Sequence, residues 1–127
     1  MENVKNEVKQ NENIETYAVL NPRTDIVENQ NEITIFAEMP GVGEKGVSVS
    51  FEDNVITLSG KIHMPQFSSE YKIAREEIYE GTYERSFSIL SDINVNGISA
   101  KIKDGVLKVI LPKSEKAKPK KIEVKVE

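Results

Sequence analysis

Between Ile33 and Leu111 the apolar residues fall in sets that recur at every second position, and that dominant period restricts the chain more than any other feature it carries. The sets are Ile33, Ile35 and Ala37; Val47, Val49 and Phe51; Ile56 and Leu58; Phe87 and Ile89; Ile98, Ala100 and Ile102; Leu107, Val109 and Leu111. Successive side chains of a strand point to opposite faces, so each set gives one strand an apolar face and a polar one. Pro40-Gly41, Asp53-Asn54, Asn96-Gly97 and Asp104-Gly105 interrupt the sets as turn signals. Asp104-Gly105 is the sharpest, because it separates two alternating runs by two residues that tolerate the positive φ of a tight hairpin. No long stretch has helical period. The pattern predicts an all-β chain of seven to nine short strands, an immunoglobulin-like antiparallel β-sandwich.

At 127 residues and 14.3 kDa there is room for one such domain. Composition divides the chain into a short, polar, asparagine-rich arm over 1–20, the sandwich over 21–113, and a flexible charged tail over 114–127. Inside the sandwich, Lys61 to Tyr79 breaks the alternation with Pro65 and Ser68-Ser69-Glu70. It reads as an extended excursion with a short strand of its own around Tyr71 and Ile73. Long excursions from compact domains are free to reach a partner.

Enzyme chemistry lacks its parts. There are no cysteines, and the one histidine, His63, has neither a second imidazole nor a carboxylate beside it. No catalytic, cofactor or metal residue is assigned. Gly41-Val42-Gly43-Glu44-Lys45-Gly46 satisfies a dinucleotide-binding pattern, yet the pattern works only where a helix begins. Here Val47 to Phe51 alternates strictly, which makes a strand. Glu76 and Glu77 would point to opposite faces of a strand, and Asp25 and Glu28 have no visible catalytic partner. No serine sits in a nucleophile elbow.

Charge argues against nucleic acid. Lys113 to Glu127 holds six lysines and three glutamates, net +3 in a chain of net −4, but no arginine and no aromatic residue to stack on bases. No apolar run approaches the roughly 18 residues that span a bilayer, and Met1 to Asn13 lacks the apolar segment of a secretory signal. A cytoplasmic location without membrane attachment is the expectation.

The residues from about Pro22 to Lys113 resemble the small heat-shock proteins built on the α-crystallin domain. Pro22 to Glu28 looks like the family's opening strand, Ala37-Glu38-Met39-Pro40-Gly41-Val42 is similar to its A-x-[LM]-P-G-[VFL] turn, and Asn54 to Gly60 resembles the next strand. Arg75, Glu77, Gly81, Tyr83, Arg85 and Phe87 follow its central-strand pattern. Ala100, Gly105-Val106-Leu107, Val109 and Pro112 fit its A-x-x-x-n-G-V-L-x-V-x-x-P signature, the most specific of these motifs. Ile122-Glu123-Val124 resembles its I-x-I/V tail motif. The chain departs from the pattern at Gly46, where an acidic residue is usual, and at Leu90-Ser91, where Leu-Pro is usual. Its arm offers only Val4, Val8, Ile14, Tyr17, Val19 and Leu20 as sizeable apolar groups.

The resemblance implies an ATP-independent holdase that binds non-native client proteins, with no cofactor, built from homodimers that form larger homo-oligomers. The alternative is a structural or co-assembly module with weak client binding, able to assemble with longer relatives; a CS-type co-chaperone domain is a third reading. For assembly, Ile122 and Val124 are the expected tail ligand, and Val47, Val49, Phe51, Ile98, Ala100 and Ile102 the candidate groove. Gly81, Arg85, Tyr71 and Ile73 are the candidate dimer interface, since bacterial and plant relatives exchange such an excursion between subunits. From the residues alone, Lys120 to Glu127 is also open to reading as a last strand of the same domain.

Overall fold

The computed structural model describes residues 18–77 and 80–127, and among these the chain is an all-β sandwich with no α-helix. Its strands are β1 (Ala18–Leu20), β2 (Thr24–Glu28), β3 (Glu32–Glu38), β4 (Val47–Glu52), β5 (Val55–Lys61), β6 (Gly81–Ser88), β7 (Ser99–Lys103) and β8 (Val106–Pro112). One sheet runs β1-β6-β5-β4 and the other β2-β3-β8-β7. The expected period-two sets lie within these strands or directly at their ends.

Two tight hairpins set the register. Asp53 and Asn54, at φ 51° and 63°, join β4 to β5, and Asp104 and Gly105, at φ 51° and 76°, join β7 to β8. Paired positive φ values match the turn to the right-handed twist of the strands, which Asp, Asn and Gly tolerate better than other residues. Asn96-Gly97 differs from expectation: it closes a single 3-10 turn, Val95–Gly97, ahead of β7.

The inner faces interdigitate into one core, in which Ile35, Met39, Ile56, Leu58, Leu107, Val109 and Leu111 are fully buried. Among the described residues no charged or polar side chain is buried. The sandwich takes in Ala18–Leu20, which the sequence places in the arm: β1 pairs with β6 in parallel, an exception to the antiparallel rule elsewhere. The rest of the arm, with Val4, Val8, Ile14 and Tyr17, lies outside the described residues.

The excursion corrects one expectation. Beyond Lys61, which ends β5, its described residues form no strand, and Phe67, Tyr71 and Ile73 are exposed. A strand exists only by pairing; the Ile62 and His63 N–H groups donate to the Gly81 and Gly41 carbonyls, but among the described residues the stretch around Tyr71 and Ile73 pairs with no other strand.

Candidate functional site

Among the described residues a concavity lies where the two sheets end side by side. Among the described residues β4 pairs only with β5 and β7 only with β8, so each leaves a backbone edge unpaired there. Between these edges runs a cleft of about 570 Å³, with Val47, Val49, Ala100, Ile102 and Leu107 as its apolar wall and Glu44, Lys101 and Lys103 as its charged groups. Alternation puts Val47 and Val49 on the inner face of β4, and Ala100 and Ile102 on that of β7. Four of the six expected groove residues thus line one cleft. Phe51 and Ile98 do not: they pack against the core and stand outside the lining.

The loop leading into β4 carries the glycine string. It folds as a single 3-10 turn, Glu44–Gly46, and passes straight into β4, so no helix terminus faces a phosphate there.

Residues 119–127 form no strand, and their apolar side chains stand free, Ile122 82%, Val124 86% and Val126 97% exposed. The single chain therefore gives no internal last strand. Between tail and sandwich the expected flexible linker has structure. Lys113 Nζ reaches Glu28 Oε1 at 2.7 Å with its side chain only 11% exposed, and the Lys113 N–H donates to the Asn31 carbonyl. Ser114 donates through Oγ to Asp92 Oδ2 at 2.8 Å and through its N–H to the Asp92 carbonyl. The Ala117 and Lys118 N–H groups then fold back onto the Ser114 carbonyl. Nothing in the period of the sequence signals this anchor, because it is built from side-chain partners far apart in the chain. The Lys113 ammonium, by hydrogen bond and charge, holds the Glu28 carboxyl below its ordinary pKa; Ser91 Oγ adds a weaker contact at 3.4 Å.

Two further exposed apolar stretches are β2 and the excursion. β2 is an edge strand with Ile26 and Val27 exposed, and in the excursion the Phe67 and Tyr71 rings meet at a 55° tilt with centroids 6.0 Å apart. Gly81 and Arg85 lie elsewhere, engaged within their own chain. Arg85 sits 4.7 Å over the Phe87 ring and donates from Nη1 to the Pro22 carbonyl at 3.1 Å. Gly81 is buried against β1, where a Cβ would stand 2.9 Å from the Ala18 carbonyl oxygen. The structure does not bring these two together with Tyr71 and Ile73.

Among the described residues no three acidic or histidine side chains gather as a metal site, and no helix is long and apolar enough to cross a membrane. What the described surface offers is apolar area beside unpaired strand edges, which suits polypeptide.

Comparison with known proteins agrees with this geometry. Residues 25–127 match the sequence model of the Hsp20/alpha crystallin family. The chain is 34% identical over 106 residues to small heat shock protein C4 of Rickettsia felis, covering 84% of this chain and 65% of that protein, just under two thirds of its length. It is 37% identical over 113 residues to a probable 15 kDa heat shock protein of Leptospira interrogans, covering 89% and 85%. Among solved structures, heat shock protein 16.0 from Schizosaccharomyces pombe superimposes with a TM-score of 0.69 at 27% identity, over 85% of this chain and 99% of that one.

Proposed function

The chain belongs to the small heat-shock protein (Hsp20/alpha crystallin) family, and from that premise we propose that it is an ATP-independent holdase that captures non-native proteins. One observation carries the reading: an apolar cleft between two unpaired strand edges sits in the same chain as an unburied aliphatic tail. An extended segment placed in the cleft gains backbone pairing from an edge and burial for alternate side chains. Aggregation-prone stretches of unfolding proteins have the same alternation, so tail and client compete for one kind of surface. Capture acts by mass action: it withholds the unfolded chain from self-association without refolding it, and needs no nucleotide.

Assembly follows from the same surfaces. Ile122 and Val124 of one subunit dock in the cleft of another, and the excursion with Tyr71 and Ile73 pairs with the exposed β2 edge of a partner subunit to form the dimer. Burial of two aliphatic side chains yields about 3–6 kcal/mol, while fixing four backbone residues costs about 4–8 kcal/mol. A single tail therefore binds weakly, and assemblies persist through several tails at once. Assemblies of this kind act in the cytoplasm, without cofactor or membrane.

Light scattering of a heated client protein tests the holdase. The expected result is suppressed scattering at near-stoichiometric ratios, with ATP making no difference. Equal curves with and without the protein refute it; if the protein then still co-assembles with longer relatives, it is the co-assembly module instead.

A further inference from the structure

The cleft and the tail differ in how many apolar positions they offer. Val47 and Val49 on β4, and Ile102 and Ala100 on β7, make two rungs; Phe51 and Ile98, next along each edge, stand outside the lining. The tail carries three alternate knobs, Ile122, Val124 and Val126, all exposed. Knobs two residues apart in an extended segment repeat every ~6.6–6.8 Å, which is also the spacing of the rungs along a strand.

We propose that the tail of a second copy docks in either of two registers, Ile122 with Val124 or Val124 with Val126, so that Val124 is seated in both. This rests on the tail-in-cleft reading above and adds a position, Val126, that the two-residue motif leaves out. The alternating, unburied aliphatic residues of the tail identify the occupant, and the charge beside Lys101 ranks the registers. Lys101 lies between Ala100 and Ile102. The first register places Glu123 between the seated knobs and brings unlike charge to that lysine; the second places Lys125 there. The first also seats isoleucine in place of valine, one methylene more, worth about fourfold.

The registers differ in reach. Hydrogen bonds hold the chain as far as Lys118. Three free residues lead from there to Ile122, and five to Val124. Two further residues add about 7 Å of span, so one tail bridges two separations between neighbouring sandwiches.

The test is an alanine series on the full-length chain, read as the dissociation midpoint of the larger species by sedimentation velocity in ~1 M salt, where exposed charges are screened. With a single register, loss per tail follows side-chain size: about 60-fold for Ile122→Ala, about 15-fold for Val124→Ala, none for Val126→Ala. With two registers the order reverses. Ile122→Ala loses only about fivefold because the second register takes over, Val124→Ala still loses about 15-fold, and Ile122→Ala with Val126→Ala loses about 40-fold. Several tails per assembly magnify these shifts and keep their order. An Ile122→Ala loss exceeding that of Val124→Ala, with Val126→Ala silent in both backgrounds, overturns the two registers and leaves tail docking standing. An unaltered size distribution in the triple alanine variant overturns docking itself.

Discussion

Gly81→Ala separates the fate of one strand from that of the sandwich. The added Cβ would stand 2.9 Å from the Ala18 carbonyl oxygen, a backbone atom, so either β1 or β6 must move. β6 is held by seven register pairs to β5, whereas β1 has three residues and one neighbour. Each hydrogen bond of β1 nets about 0.5–1.5 kcal/mol, while ordering each of its residues costs about 1–2 kcal/mol. Leu20 adds only partial burial, being 37% exposed. The docking of β1 is thus close to balanced, and a small steric push releases it. Alanine also restricts the unfolded chain, worth about 0.4–1 kcal/mol in favour of the fold. Global stability in denaturant should therefore shift by no more than about 1 kcal/mol, while amide hydrogens of Val19 and Leu20 lose their protection. A fall of more than about 3 kcal/mol with those amides still protected would refute the reasoning, since the strain would then have gone into β6.

Two further outcomes follow from the same contacts. Deleting Pro65 to Glu70 should shift the smallest stable species toward monomer in native mass spectrometry, with the sandwich intact; a variant that stays dimeric at low micromolar concentration removes the excursion from the interface. At the tail root, a carboxyl held below its ordinary pKa stabilises its anchor fully above that value and loses it as pH falls through the lowered one. Nitrogen relaxation of residues 114–118 should therefore become tail-like as acidification passes below the ordinary carboxylate range, and Glu28→Gln should produce that mobility at neutral pH; relaxation that ignores both changes refutes the anchor.

The strands and hairpins were legible because alternation and turn chemistry are local. Asp104-Gly105 specifies its turn with almost no help from the rest of the fold. What the sequence hid depends on distant pairs. β1 is too short to carry a period, and its place depends on Gly81 leaving room some sixty residues later. The tail root looks like a charged linker until Glu28 and Asp92 arrive beside it. Phe51 and Ile98 share the alternation of their strands, yet period says only which face a side chain takes, not whether a neighbour leaves it open. The excursion carries residues suited to a strand around Tyr71 and Ile73, but a strand is a relation between two segments, and no second segment pairs with it among the described residues.

The unpaired edge of β7 has a consequence for the protein's own solubility. A bare edge invites another edge, and repetition of that contact leads to fibres. Lys101 and Lys103 both lie on this edge strand, with Lys108 directly opposite Lys101 on β8. A second sandwich arriving edge to edge would set its own lysines against these, like against like, whereas a lone strand that places Glu123 beside Lys101 meets unlike charge at that position. Like charge along this edge therefore opposes the edge-to-edge stacking from which amyloid grows, while the backbone groups of β7 stay bare.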